Sequence, residues 1–291
     1  MTPTHSDTAH PEIISVETSD ELRLTGALWT PETGPSPTAI ALFPGTGGEF
    51  YDPLFVALGR MLAAAGYMTL SMNRRDHGQN FGFFPLHDSA MDLKLGIDLL
   101  MARGAEQVVL GGHSYGTVTA PYYIAETDDS RVPGLLLLAI LGDMRRGSRL
   151  ILGSEERYNS VVAEAEEMIA AGKGGDAFVI PPMVPGYQPM VHTYDIFMDK
   201  RGPDARVAPI ELLKQVGDRP LLGVRDPADP FPATLPPAQE LLEAANPNLT
   251  YVLLDDIRNG ELNSAAHGFE GRESEILQLV IQWMNDHDFK N

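Results

Sequence analysis

Gly112-His113-Ser114-Tyr115-Gly116 sets a serine between two glycines. It follows the apolar run Val108-Val109-Leu110-Gly111, which reads as a short buried strand. It precedes Thr117-Val118-Thr119-Ala120, which can open a helix. A G-x-S-x-G at a strand-to-helix turn presents a nucleophilic serine. The turn is so tight that a Cβ at either flank would clash, and glycine has none. Such a turn pushes the Ser114 hydroxyl out above the sheet edge, where a substrate carbonyl can reach it.

A serine hydroxyl is too weakly acidic to attack an ester unaided. It needs a base within hydrogen-bond reach and a group that orients the base. Histidine suits because it titrates near neutrality. Of the eight histidines, His5 and His10 lie in a polar tail and His287 near the end of the chain. His87 falls near a helix start and His192 in an irregular stretch. His77 and His113 sit at strand ends, but the backbone of His113, inside the turn, faces the wrong way for a base. His267 alone follows the last strand and precedes the last helix. Ala265, Ala266 and Gly268 leave its ring room to swing toward Ser114. A histidine base must be neutral, so activity should fall below roughly pH 6–7.

The orienting acid should follow the strand Leu221 to Val224. Asp229, in Ala228-Asp229-Pro230 after the turn at Pro227, is favoured over Asp226. The one not used is expected to cap the turn. Asp255 and Asp256, at the end of the last strand, are a distant third. A tetrahedral intermediate also needs donors for its oxyanion. Phe43-Pro44-Gly45-Thr46-Gly47-Gly48 follows a central strand and offers free backbone N–H groups. Thr46 is assigned one donor, with Gly47 as the alternative, and Tyr115 the other. The glycine run lacks the Lys-Ser/Thr ending of a phosphate loop. No pair of histidines has metal-ligand spacing, so neither metal nor cofactor is expected. The loop Asn73-Arg74-Arg75-Asp76-His77-Gly78 could place a charge near the pocket, but such clusters more often fix loop geometry. Arg145 and Arg146 could hold an anionic group, though a surface role suits them better.

These residues need a scaffold that brings distant loops to one edge. Glu12 to Thr18 and Leu22 to Trp29 alternate as two strands of a hairpin around Thr18-Ser19-Asp20-Glu21. Ala39 to Phe43 is a solid apolar run, as in a parallel strand covered on both faces. A helix should follow from the N-cap Asp52 and Pro53, closed by Gly66. The pattern then predicts strand 67–72, helix Ser89 to Ala102 ended by Gly104, the turn strand and its helix, and strand 135–141. Pro121 should end or kink the turn helix. After an irregular segment, strand 220–224, helix 236–245, strand 249–254 and helix 273–284 follow. Alternation repeated this often means α/β with a mostly parallel sheet.

Residues 143–205 break the rhythm. A capped helix is expected from Ser154 to Ala171. A Pro- and Met-rich stretch follows, with Pro181, Pro182, Met183, Pro185, Pro189 and Met190. Long irregular segments within a domain are usually functional or disordered. Phe178, Tyr187, Tyr194 and Phe197 argue against disorder. A cap over the sheet edge is expected here, with residues 1–142 and 206–291 as the core and 1–10 as a loose tail.

Composition narrows the class. The chain has 291 residues, 43% of them apolar, enough for one large α/β domain or two small ones. Its net charge of −19 repels nucleic acid and anionic membranes. Cysteine is absent, which rules out disulfides, thiolate metal sites and a cysteine nucleophile. No apolar run approaches a membrane span, and Met1 to Pro11 shows no signal-peptide core. A cytoplasmic protein with a small-molecule substrate is expected; its oligomeric state is open.

Taken together, the chain resembles the α/β-hydrolase superfamily over nearly its full length. The resemblance rests on Pro44-Gly45-Thr46-Gly47-Gly48, on Gly112 to Gly116, on the loop at Asp229 and on His267-Gly268-Phe269. The order Ser114, Asp229, His267 is that of the superfamily; other serine-hydrolase folds use other orders. It implies eight mostly parallel strands, an active site at their C-terminal edge and a cap after the sixth. Many members carry histidine where this chain has Pro44. The expected activity is hydrolysis of a carboxylic ester of a small, fairly hydrophobic substrate through an acyl-enzyme. The same residues could instead serve amide or C–C cleavage, acyl transfer or lyase chemistry, and the fold also hosts non-catalytic receptors.

Overall fold

A computed structural model describes residues 10–181, 189–231 and 238–290. The tail before residue 10, Pro182, Met183, Pro185, Tyr187 and the expected helix start at Pro236 lie outside the described residues.

Strands β1 (Glu12–Glu17) and β2 (Arg23–Trp29) form the expected antiparallel hairpin. They are followed by β3 (Thr38–Phe43), β4 (Thr69–Met72), β5 (Gln107–His113), β6 (Leu135–Leu138), the short pair β7 (Ala177–Ile180) and β8 (Met190–Thr193), then β9 (Leu221–Arg225) and β10 (Leu249–Leu253). Eight of these make one sheet in the order β1-β2-β4-β3-β5-β6-β9-β10. β2 pairs antiparallel with both neighbours, and every pairing from β4 to β10 is parallel. β7 and β8 pair only with each other.

The helices run α1 (Pro53–Ala64), α2 (Leu86–Met91), α3 (Leu93–Ala102), α4 (Gly116–Thr127), α5 (Met144–Ile151), α6 (Glu155–Ala170), α7 (Tyr194–Arg201), α8 (Pro209–Leu212), α9 (Ala238–Ala245), α10 (Ser264–His267) and α11 (Glu273–Asp286). None is long and apolar enough to cross a membrane.

The two-residue period of the central strands explains why helices cover both faces. Ala39, Ala41 and Phe43 of β3 pack with Leu93, Ile97 and Leu100 of α3 and with Tyr123 and Ile124 of α4. The intervening Ile40 and Leu42 pack with Leu54, Phe55 and Leu58 of α1 and with Ile276, Val280 and Trp283 of α11. A strand buried on both sides reads as a nearly continuous apolar run, as Ala39 to Phe43 of β3 and the whole of β6 do.

Four expectations need correction. The helix expected over 89–102 starts earlier, at Leu86, and is interrupted at Asp92, whose carboxylate turns back to the Arg75 backbone N–H (2.8 Å) and guanidinium. The strand expected to reach Leu141 stops at Leu138, because Ala139 takes a left-handed φ of 49° that leaves the ladder. Of the two outcomes expected of Pro121, ending α4 is the one overturned, since the helix runs on to Thr127. The proline's lost hydrogen bond and clash cost about 3 kcal/mol. Burial of Tyr122, Tyr123 and Ile124 just after it contributes about 1.5–3 kcal/mol each and outweighs that. Asp52 sits at the N-cap of α1 but accepts from the Glu49 N–H (2.9 Å), outside the helix.

Between β6 and β9 the chain carries α5, α6, the β7–β8 pair, α7 and α8. Ser154 caps α6 by accepting from the Arg157 N–H at 3.1 Å. The segment has its own apolar cluster, in which Phe178 stacks on Tyr194 with ring centres 4.7 Å apart and meets Phe197 edge-on.

Candidate active site

The site is assembled from loops at the C-terminal ends of β3, β5, β9 and β10. Leaving β5, the chain turns within two residues into α4, and Ser114 holds a left-handed φ of 55°. Such a conformation costs a non-glycine residue about 1–2 kcal/mol. Its neighbours show why only glycine fits around it. A Cβ on Gly112 would run into the Gly116 backbone, and one on Gly116 would lie 2.7 Å from the Phe43 carbonyl. A Cβ on Gly45 would lie 2.6 Å from Ser114 Cβ. The loop after β3 therefore lies directly against the serine.

The Thr46 and Tyr115 backbone N–H groups donate to no backbone acceptor among the described residues. Free N–H groups flanking a serine are what an oxyanion requires. The Gly47 amide is equally unengaged, so the choice between it and Thr46 stays open. The Tyr115 side chain points the other way, fully buried against Phe81, with its hydroxyl unpaired among the described residues. Burial pushes that phenol well above its ordinary range.

His267 closes the one-turn helix α10, capped by the Asn263 side chain on the Ala265 N–H at 2.9 Å. The Asn263 N–H in turn donates to the Ala228 carbonyl (2.8 Å), which ties the histidine loop to the loop after β9. Across that tie, His267 Nδ1 lies 2.7 Å from Asp229 Oδ2. The other Asp229 oxygen accepts from the Phe231 N–H at 2.9 Å. The Asp229 side chain is 1% exposed and the His267 side chain 13%, so the acid is sealed in and the imidazole keeps an open edge. The Phe231 ring lies 4.0 Å from the His267 ring, centre to centre.

Asp226 goes elsewhere. It caps its own turn through the Ala228 N–H (2.9 Å) and pairs with Arg272 at 3.1 Å. Asp255 and Asp256 are exposed at the end of β10. Arg145 is occupied by Asp143 and Glu211, and Arg146 is exposed. His77 faces Glu49 at 3.0 Å, and His192 is buried against Arg201. Among the described residues, no group of three His, Asp or Glu side chains could hold a metal ion.

The structure thus brings Asp229 and His267 into contact and packs Gly45 on Ser114. The elbow and the histidine loop also meet directly. His113 Nε2 lies 2.7 Å from the His267 backbone carbonyl, and the two rings are 4.9 Å apart. Ser114 Oγ makes no hydrogen bond of its own among the described residues. The role of the His113 ring was not visible in the sequence. Excluding it as a base left its ring without an assigned partner, and that was the one available signal.

No family model matches the chain, and no curated protein matches it. Solved structures do. Est1E from Butyrivibrio proteoclasticus, solved with ferulic acid bound, superposes with a TM-score of 0.69 at 15% identity, over 94% of this chain and 98% of that one. A thermostable carboxyl esterase from Bacillus coagulans, in complex with glycerol, gives 0.65 at 14% identity, over 96% and 99%. An alpha/beta hydrolase fold protein of unknown function gives 0.64 at 16% identity, over 97% of each chain. At such identities the likeness is one of fold.

Proposed function

We propose that this chain, which has the α/β-hydrolase fold, is a serine-dependent hydrolase of carboxylic esters. The observation that carries the reading is the 2.7 Å contact between Asp229 and His267, beside a serine held at φ 55°. The solved esterases of the same fold support it.

In this reading Ser114 attacks the ester carbonyl carbon while His267 Nε2 takes its proton. Asp229 accepts from His267 Nδ1–H, which selects the tautomer with a bare Nε2 and stabilises the imidazolium that forms. The Tyr115 and Thr46 N–H groups hold the oxyanion. His267 returns the proton to the departing alcohol, and water then releases the acyl group by the same path.

Residues 143–205 serve as a cap over this edge, with 1–142 and 206–291 as the core. The substrate in this reading is an uncharged, fairly hydrophobic small molecule. The enzyme works without a cofactor in the cytoplasm.

The test is Ser114→Ala against a panel of chromogenic esters, with labelling by a fluorophosphonate probe. Turnover and labelling should both vanish. Labelling that survives in the variant would falsify the assignment.

A further inference from the structure

Behind the candidate oxyanion loop lies a row of buried charges that the proposed chemistry does not use. One Arg74 nitrogen, Nη1, donates to the Pro44 carbonyl, at the start of the loop that carries Gly45 and Thr46. Its Nε donates to Asp76 Oδ1 at 3.0 Å. The second oxygen of Asp76 is taken by Lys200 Nζ at 2.7 Å. Lys200 also donates to the Phe81 carbonyl at 2.9 Å and lies 4.1 Å from the centre of the Phe81 ring. All three charged side chains are at most 1% exposed. Lys200 belongs to α7, in the segment inserted between β6 and β9; Arg74 and Asp76 belong to the loop after β4.

We infer that this row is a positioning device: Lys200 of the inserted segment, acting through Asp76 and Arg74, holds the oxyanion loop in register with Ser114. The inference rests on the serine-hydrolase reading. The Pro44 carbonyl and the Gly45 N–H belong to one planar peptide. Fixing the oxygen fixes the direction in which the chain enters Gly45 and Thr46. The allocation of Asp76's two oxygens decides whether Arg74 can do this. With Lys200 on Oδ2, Arg74 meets the carboxylate through Nε alone and keeps Nη1 for Pro44. Without Lys200, Asp76 would lose the ammonium that fixes its second oxygen, and the carboxylate that orients the Arg74 guanidinium would be free to turn, carrying Nη1 away from the Pro44 carbonyl. A buried row of this kind is weak evidence for stability, because replacing buried ion pairs with apolar groups is often neutral. Its value here is geometric. It makes the inserted segment a part of the catalytic scaffold.

The experiment is a double-mutant cycle on Arg74→Met and Lys200→Met, read with a chromogenic ester and with a phenylboronic acid, whose tetrahedral adduct needs the same N–H donors. Each single variant should lower kcat about 10- to 100-fold, less than or equal to loss of a whole donor, with KM changed by less than about threefold. The double variant should fall no further than the worse single, because both act through one contact. Boronate affinity should drop in step with kcat. Arg74→Lys, which keeps the charge but not the fork, should recover only part. Asp76→Asn, nearly isosteric, should reproduce the loss if the methionine variants fold poorly. Losses that multiply in the double variant, boronate affinity that holds while kcat falls, or variants whose whole defect is unfolding at the assay temperature would each overturn the inference. Ester turnover that depends on Ser114 yet ignores Arg74→Met sinks this inference alone. Turnover independent of Ser114 sinks the reading beneath it.

Discussion

His113 Nε2 donates to the backbone carbonyl of His267 across 2.7 Å, so the residue before the nucleophile holds the main chain of the residue proposed as its base. The bond requires a proton on Nε2. Burial, reinforced by the adjacent His267 imidazole and only partly offset by the hydrogen bond to the His267 carbonyl and by the Asp229 carboxylate, pushes His113 down to about 3. Its ring is therefore neutral across the working range and carries a single ring proton.

That neutrality has a stability signature. The unfolded chain takes up a proton at His113 near pH 6.5, and the folded chain refuses it. Below that pH the unfolded state binds more protons, so stability falls as pH drops from about 6.5 toward about 3. His192 adds to the effect, because burial and the facing Arg201 and Lys200 cations push it well below its ordinary value. His113→Gln should recover about 2 kcal/mol of the stability lost between pH 7 and pH 5. Urea midpoints at the two pH values check this, and equal losses in variant and parent contradict it.

The two aspartates after β9 should separate cleanly. Asp229→Asn leaves the site packed but favours the wrong tautomer of His267, so kcat should fall about 10⁴-fold. Asp226→Asn instead weakens the buried contact with Arg272. Arg272 keeps Glu275, so a loss of about 1–3 kcal/mol in stability is expected, with kcat per folded molecule unchanged. Kinetics and thermal unfolding on both variants decide it; an inactive but stable Asp226→Asn would exchange their roles.

Strain at the nucleophile is measurable without substrate. Ser114 sits at φ 55°, where glycine pays no steric penalty. Ser114→Gly should be about 1 kcal/mol more stable than Ser114→Ala, even though both are inactive. Chemical denaturation of the pair gives the answer, and a more stable alanine variant would show the turn to be relaxed.

Close approach of the oxyanion loop can be tested with one methyl group. Gly45→Ala would place a Cβ 2.6 Å from Ser114 Cβ and 2.9 Å from the His113 carbonyl. Either the serine or the loop must move, and fluorophosphonate labelling should slow at least about tenfold. Gly175→Ala, in open space, should stay within about 0.5 kcal/mol of the parent in stability and label at its normal rate. Equal labelling rates in the two variants would show that the loop gives way freely.

Much of the fold was legible because its signals are local. The apolar run Ala39 to Phe43 of β3 reports burial on both faces by its continuity, and the one-face-apolar α11 by its 3.6-residue period. The turn at Gly112 to Gly116 is read from steric demands among five neighbouring residues. The order of Ser114, Asp229 and His267 reduced the candidates to a few. Element ends were less legible, since Ala139 and Asp92 leave their expected elements for reasons set by the surrounding structure.

What the tertiary structure alone decided are pairings between residues far apart in sequence. Asp226 and Asp229 stand three positions apart with the same chemistry, and only the path of the chain into α10 puts His267 against the second and Arg272 against the first. Lys200 reaches Asp76 across 124 positions. A side chain's own type says what it can bond; which partner it meets depends on where two separate backbones run, and no local spacing encodes that.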